Sequence, residues 1–317
     1  METEFLYHPH NYNRTDRAPA VMALGYFDGV HIGHQTVIRR AVEKAEAQGV
    51  EAVVMTFHPH PKAVLSPDVS EEDMRYITPL AHKEALIHAL GVDRLIVISF
   101  DRTLASLTPQ AFVDHYLLDL HAVEVVAGFD FSYGHKGRGT METLPFHARG
   151  MLFQETIDQF SYDGEKVSST RIRELIRDGA VGELPPLLNR DFSLYGEVAS
   201  GEQRGRTIGF PTANIYCSQP YLLPAIGVYA VTLETDEARY QGVANVGYKP
   251  TFHSIQEGDP TVEVHLFDFS GDLYGCAVKV TWHDRIRGEI AFSGVEELKM
   301  QIDEDCRTAK AYFNEKG

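Results

Sequence analysis

The sequence is poor in cysteine, in basic residues and in long apolar runs. Its three cysteines, Cys217, Cys276 and Cys306, lie far apart and form no C-x-x-C pair. That spacing argues against a disulfide framework and against a structural zinc site. Lys and Arg number 29 against 45 Asp and Glu, a formal net charge of -16. Such a chain has no general attraction for nucleic acid, whose binding rests on neutralising phosphates with cationic side chains. Any phosphate it binds must be held by local devices: helix N-termini, a few basic residues or a divalent metal. No apolar run approaches the ~20 residues needed to span a bilayer. The opening Met1–His8 lacks the basic start and apolar stretch of a signal peptide. A cytoplasmic chain with no membrane partner is therefore expected.

What is present, over 317 residues, is a globular composition written in two different patterns. From Val21 to about Gly179 short apolar runs alternate with helical stretches. Val21–Leu24, Ala52–Phe57, Arg94–Phe100 and Val123–Ala127 read as strands buried on both faces. Between them Gln35–Gln48, Pro79–Leu90 and Pro109–Leu118 carry apolar residues at helical spacing. Thr78-Pro79 and Thr108-Pro109 each predict an N-cap followed by proline in the first turn. The alternation implies βαβ units and a mostly parallel sheet, with ligands beyond the carboxyl ends of its strands.

After Pro185-Pro186 the pattern becomes short β segments: Tyr195–Ala199, Gly227–Leu233, Tyr240–Val246, Thr261–Phe269 and Ala277–Trp282. An antiparallel sheet or small barrel follows. Ser293-Gly294-Val295-Glu296 predicts a capping box opening a C-terminal helix, which should pack Val295, Leu298, Ile302, Ala309 and Phe313 on the sheet. Two domains are expected, 1–184 and 185–317. No internal repeat or low-complexity tract is evident.

Candidate chemistry in the first half lies at two helix starts. Gly25-Tyr26-Phe27-Asp28-Gly29-Val30-His31-Ile32-Gly33-His34 follows a buried strand and precedes a helix. Free backbone N–H groups and the helix dipole favour an anion there, and imidazoles can donate to phosphate oxygens. Two histidines at this spacing beside Asp28 are also compatible with a metal site. Ser168-Ser169-Thr170-Arg171-Ile172-Arg173 places arginines in a first turn, where the dipole disfavours them unless an anion binds; a plain serine cap is the alternative.

Together with Thr56–Pro61 and Gly128–Gly134, these two runs resemble the H-x-G-H nucleotidyltransferases. More narrowly they resemble the FAD synthetase module of bacterial bifunctional riboflavin kinase/FMN adenylyltransferases. The resemblance implies a Rossmann-like domain in which Asp28, His31, His34, Ser169, Thr170 and Arg173 serve ATP, with Phe57, Pro59 and Asp130 near the flavin. The FMN phosphate, mostly dianionic at neutral pH if its second pKa is near ~6, needs no general base to attack the α-phosphorus. Alignment and charge stabilisation suffice.

In the second half, Gly205-Arg206-Thr207-Ile208-Gly209-Phe210-Pro211-Thr212-Ala213-Asn214 offers glycines for close backbone approach. Its Thr212 hydroxyl and Asn214 carbonyl are hard oxygen donors of the kind Mg²⁺ accepts. By itself Pro-Thr-Ala-Asn reads as a turn between strands, and no Lys-Ser or Lys-Thr makes it a P-loop. Strand alternation puts Glu263, His265 and Phe267 on one face and Val262, Val264 and Leu266 on the other. An ordinary carboxylate on a wet strand face is the bland reading of Glu263.

Gly205–Asn214 is similar to the riboflavin kinase signature. Gly227–Ala230, Asn245–Gly247, Pro250–Phe252, Val262–His265, Leu273–Gly275 and Ile286-Arg287 extend the likeness through the second half. It implies a small antiparallel β-barrel with a C-terminal helix. Gly205, Arg206 and Gly209 would bind nucleotide, Thr212 and Asn214 Mg²⁺, and Arg287 the flavin. Glu263 would be the base that takes the proton from the ribityl 5′-hydroxyl, since a primary alcohol is a poor nucleophile at neutral pH. The expected partners are riboflavin, FMN, FAD and ATP, and the sequence is compatible with a homo-oligomer. Where the family commonly has Leu-Gly-Arg-Pro-Tyr, this chain has Leu188-Asn189-Arg190-Asp191-Phe192, a change at the linker. Three rival readings remain at this point: a single-activity enzyme, a flavin-binding module without turnover, and an H-x-G-H adenylyltransferase for another substrate.

Overall fold

The computed structural model describes residues 1–200, 208–248 and 260–316, packed as two units that meet in the chain between Ser169 and Thr170. Gly205 and Arg206 lie outside the described residues.

In the first unit the strands β1 (Glu2–Leu6), β2 (Ala20–Leu24), β3 (Glu51–His58), β4 (Arg94–Ser99) and β5 (Ala122–Gly128) join β8 (Phe153–Ile157) in one sheet. Short hairpins β6–β7 (Ser132–Tyr133, Gly139–Thr140) and β9–β10 (Ser161–Tyr162, Glu165–Lys166) lie outside it. The order is β1-β4-β3-β2-β5-β8 and every pairing is parallel. Strand order reverses between β2 and β5, the place beyond whose carboxyl ends open α/β sheets bind ligands.

The central strands are apolar throughout because both faces are covered. Val21 and Ala23 pack with Val54, Leu95, Ile38 and Ile87 on one side. Met22 and Leu24 pack with Met55, Ile96, Ile98 and Tyr116 on the other. Each fully buried aliphatic side chain contributes about 1.5–3 kcal/mol. The edge strands β1 and β8 escape the sequence reading because one flank meets water; Phe153 of β8 is 76% exposed.

Three local expectations need correction. The first long helix runs Ile32–Gln48, starting a turn earlier than predicted because His31 caps it: the His31 ring accepts from the His34 N–H. Thr78 does not cap the helix Leu80–His88, whose N-cap is Pro79. The Thr78 hydroxyl instead accepts from the Gly29 N–H, 2.9 Å away. Pro109–Leu118 is an α turn, Pro109–Phe112 with Thr108 as its cap, running into a wider π turn at Val113–Leu118.

The helix Ser169–Asp178 starts at the last residue of the first unit; the second unit takes up the rest of it from Thr170, then a 3-10 turn and the short helix Pro185–Leu188. A closed antiparallel barrel follows in the order β11-β12-β15-β14-β13-β16. These strands are β11 (Phe192–Ala199), β12 (Ala213–Tyr216), β13 (Gly227–Glu234), β14 (Arg239–Gly247), β15 (Thr261–Leu266) and β16 (Ala277–Arg287). Closure removes the exposed sheet edges. Trp282 and Tyr229, both fully buried, meet edge to face within it at 5.2 Å.

β12 corrects the reading of Pro-Thr-Ala-Asn as a turn. Only four residues long and half polar, it pairs with β11 and β15, so its existence depends on partners distant in sequence. The C-terminal helix Val295–Lys316 covers Val228, Ala230, Val243 and Phe267 with Ala309, Cys306, Tyr312 and Phe313. Val295, expected in that contact, is 53% exposed. The cap also differs: Ser293 N–H and Oγ both reach the Glu297 carboxylate, at 2.8 and 2.5 Å, while Glu296 pairs with Lys299.

Asn189 explains how the unusual junction stays folded. It ends the helix Pro185–Leu188 in the left-handed region (φ 54°, ψ 29°), its N–H donating to the Pro185 carbonyl at 2.8 Å. That position suits glycine, and asparagine is the next best occupant. Asn189→Val should lower the unfolding free energy by about 1–2 kcal/mol, whereas Asn189→Gly should change it by less than about 1 kcal/mol. Denaturant titration followed through the single tryptophan, Trp282, would measure both.

Candidate active sites

The first site is the turn between β2 and the helix Ile32–Gln48. Within it Phe27 (φ 56°), Gly29 (φ 84°) and Val30 (φ 40°) take left-handed backbone, which is uncommon for phenylalanine and strained for a β-branched valine. Burial holds them, since Phe27 and Val30 are each 1% exposed. The Phe27 ring folds back beneath Gly25, where an added Cβ would meet it at 2.7 Å.

The turn is also tied to distant segments. Asp28 is buried, and its carboxylate accepts from the Thr78 N–H at 3.1 Å and the Ile77 N–H at 3.4 Å. The Ser169 hydroxyl donates to the Asp28 carbonyl at 2.8 Å. Asp28 thus braces the turn through the 77–78 backbone.

His31 and His34 stack with ring centroids 3.5 Å apart. Because His31 Nδ1 accepts the helix's capping hydrogen bond, the neutral ring carries its proton on Nε2, an N–H suited to an anionic oxygen. Gly33 makes room for this arrangement; a Cβ there would come within 3.2 Å of the His31 ring. Burial, then the neighbouring His31 and Lys83, hold the His34 pKa well below the ordinary imidazole value. His34 therefore stays neutral near pH 7. Its Nδ1 is buried without a hydrogen-bond partner.

The carboxyl ends of β3 and β5 supply the other predicted residues of this unit. Phe57 packs edge to face on Phe100 and lies near Phe112, at 6.2 and 6.5 Å between centroids. Pro59 follows His58 through a cis peptide bond. Asp130 sits on an exposed loop and pairs with Lys166 of β10 at 2.7 Å, while the same ammonium lies 4.6 Å over the Phe129 ring. Arg171 and Arg173 follow Ser169 in the first turn of Ser169–Asp178, and Thr170 begins the second packed unit. Among the described residues no group of three or more His, Cys, Asp or Glu is arranged to hold a metal ion.

The second site lies on the outer face of the barrel. In register, Glu263 of β15 faces Asn214 of β12 on one side and Asn245 of β14 on the other. Directly opposed residues on neighbouring strands share a face, so the three form one transverse row. Thr212, just before β12, directs its hydroxyl at a Glu263 carboxylate oxygen 3.4 Å away. A hydroxyl that donates to Glu263 keeps its oxygen lone pairs for a cation. With the Asn214 amide oxygen, the donor set fits a hard divalent ion whose remaining ligands come from phosphate and water.

Val262, Val264 and Leu266 point into the core, as strand alternation predicts. His265 Nδ1 bonds to the Pro211 carbonyl at 2.8 Å, and its ring meets Phe210 edge to face at 5.4 Å. Gly209 takes φ 93° ahead of this turn, with open space where a Cβ would lie. Arg287, at the end of β16, makes a two-pronged pair with buried Asp305 of the C-terminal helix, at 2.8 and 2.7 Å.

A model of the FAD synthetase family matches residues 13–171, and one of the riboflavin kinase family matches residues 188–313. A bifunctional riboflavin kinase/FMN adenylyltransferase of Bacillus subtilis (strain 168) is 44% identical over 314 residues, 99% of either chain. The chain belongs to the bifunctional riboflavin kinase/FMN adenylyltransferase family. It is an ATP-dependent kinase and nucleotidyltransferase of flavin cofactor synthesis, with a FAD synthetase domain ahead of a riboflavin kinase domain.

The family's protein of that name in Escherichia coli (strain K12) is 34% identical, with 96% of each chain covered. A crystal structure described as a macrolide-efflux protein from Streptococcus pneumoniae is also similar. It has a TM-score of 0.85 and 36% identity, covering 96% of this chain and 97% of that one. Among the described residues no helix is long and apolar enough to cross a membrane.

Beyond the residues its motifs suggested, the FAD synthetase domain engages Thr78 and Lys83, and the kinase domain engages Asn245 and His265. His265 was legible, since alternation puts it on the Glu263 face. Asn245 lay in a quoted motif without an assigned role. Thr78 read locally only as a helix cap, and its bond to Gly29, like those of Lys83 to Thr56 and Tyr26, could not be read from the chain because the partners lie 49, 27 and 57 residues away.

Proposed function

We propose that the two reactions divide between these sites according to whether the attacking oxygen needs a base. The observation that carries the reading is the fate of the carboxylates. At the His31/His34 turn the near carboxylate, Asp28, is occupied by backbone N–H groups. At the barrel site Glu263 stands beside a hydroxyl and two amides with no cationic partner among the described ion pairs.

In the kinase domain Glu263 takes the proton of the ribityl 5′-hydroxyl as its oxygen attacks the γ-phosphorus of ATP; FMN forms and ADP leaves. Gly205, Arg206 and Gly209 hold the nucleotide, and Thr212 and Asn214 hold Mg²⁺, which when bound neutralises phosphate charge. His265 fixes the Pro211-Thr212 backbone. Arg287, engaged by Asp305, shapes the flavin side of the pocket by pinning the C-terminal helix.

In the FAD synthetase domain the FMN phosphate attacks the α-phosphorus of a second ATP and pyrophosphate leaves. His31 donates through Nε2 to the phosphates, His34 packs behind it, and Ser169, Thr170 and Arg173 complete the nucleotide contacts. Phe57, Pro59 and Asp130 border the flavin.

We assign residues 1–184 to the adenylyltransferase and 185–317 to the kinase, and both reactions to the cytoplasm, where ATP is at hand. Neither step as written requires a second copy of the chain.

Incubation with riboflavin and Mg-ATP, followed by chromatography, tests the scheme. FMN should appear first and FAD after it. FMN without FAD, or FAD only from added FMN, would leave one site as a scaffold, and neither product would leave a binding module.

A further inference from the structure

Lys83 stands out because nothing in the reaction scheme calls for it, yet it is charged, internal and aimed at the ATP turn. It lies on the helix Leu80–His88, 3% exposed. Its ammonium donates to the Tyr26 carbonyl at 3.0 Å and to the Thr56 hydroxyl at 3.1 Å, and sits 4.6 Å from the Tyr26 ring centre. Thr56 in turn donates to the same Tyr26 carbonyl at 2.8 Å. Two elements of the sheet's carboxyl edge, the turn after β2 and the end of β3, are thus joined through one buried cation.

A purely structural link here could be made by a neutral group at lower desolvation cost. Asp28 is an attractive charge for Lys83, but the Asp28 carboxylate already accepts from two backbone amides. The remaining asset of an ammonium in this place is its positive field beneath a turn whose imidazoles and amides face a triphosphate.

We propose that Lys83 is a positioning residue for adenylyl transfer. It fixes the Tyr26–His34 turn through the Tyr26 carbonyl and stabilises the bound triphosphate with a charge that water cannot screen. The proposal rests on the reading of this turn as the ATP site.

It has a signature of its own. Burial pushes the Lys83 pKa down to about 8, with Asp28 opposing the shift. The other groups around it titrate elsewhere. His34 and His58 are held below the ordinary imidazole value, chiefly by burial. Tyr76, near Tyr26, is pushed above the ordinary phenol value, again chiefly by burial. Loss of the Lys83 proton should therefore impose a basic limb on FAD formation alone.

The sign for stability is opposite. A lysine whose folded pKa is depressed weakens the fold while it is charged, and that burden lifts as pH rises from about 8 toward 10.5. Activity should fall over the same range in which this contribution to stability grows.

The test uses the whole protein. For the wild type, kcat/KM for ATP in FAD formation from supplied FMN should fall with a midpoint near pH 8. In kcat the limb should move to higher pH, because bound triphosphate favours the ammonium. Riboflavin phosphorylation, measured in the same samples, should lack this limb. Lys83→Met should remove the limb and lower kcat/KM for ATP by on the order of 10²-fold, as expected for a displaced site, while KM for FMN stays near its original value.

A wild-type profile flat for one pH unit beyond that midpoint would overturn the proposal, and so would equal losses for ATP and FMN in the variant. Should Lys83→Met fail to fold, the wild-type profile decides alone. If FAD formation ignores both His31 and Lys83 substitutions, the ATP reading of the turn fails first.

Discussion

Glu263→Gln should reduce riboflavin phosphorylation by roughly 10²- to 10⁴-fold, the usual range for loss of a general base, and leave FAD formation from supplied FMN unchanged. The substitution is nearly isosteric. A glutamine side-chain oxygen can still accept from the Thr212 hydroxyl, which lies 3.4 Å from the carboxylate, and the cross-strand neighbours Asn214 and Asn245 keep their register. What disappears is the capacity to take a proton.

The loss should fall on kcat. KM for ATP should not rise, since an anion that repels phosphate has been replaced by a neutral group. Steady-state rates for both half-reactions, measured on one preparation, check this. A matching loss in FAD formation would show that the two chemistries are not separable, and an unchanged kinase rate would remove Glu263 from the base role.

His31→Ala should do the reverse, lowering adenylyl transfer by on the order of 10²- to 10³-fold, as when a preorganised donor to a developing negative charge is deleted. Phosphorylation of riboflavin should be spared. Alanine also removes the cap of Ile32–Gln48, which costs about 0.5–2 kcal/mol of stability. The two effects separate with His31→Asn. Asparagine is a favourable N-cap, so stability should return toward the wild type. The rate should not, because asparagine lacks the imidazole Nε2–H in that place. Full recovery of rate by asparagine would reduce His31 to a capping residue.

Much of both sites could be read from the chain alone because the informative patterns are local. A buried apolar strand, a glycine-containing turn and a helix follow one another within Val21–Gln48, and their physics needs no distant partner. The alternation Val262-Glu263-Val264-His265 likewise sets which residues face away from the barrel core. Where sequence reading failed, a distant segment had changed the outcome. Thr78 looks like a helix cap, but its hydroxyl accepts from the Gly29 N–H in the left-handed turn instead, and Pro79 takes the cap position. Ala213–Tyr216 is too short and polar to be called a strand until β11 and β15 flank it.

The sequence by itself determined the composition class, the two-part pattern, the parallel strands of the first half and the family motifs to which phosphate chemistry is assigned by proposal. These depend on periodicity and on backbone preferences over a few residues. Tertiary structure decided the closed barrel order, the commitment of Asp28 to bracing, the row Asn214–Glu263–Asn245 and the buried charge of Lys83. Each joins residues far apart in the chain, and hydrogen-bond partners or desolvation at that range are fixed only when the core forms around them.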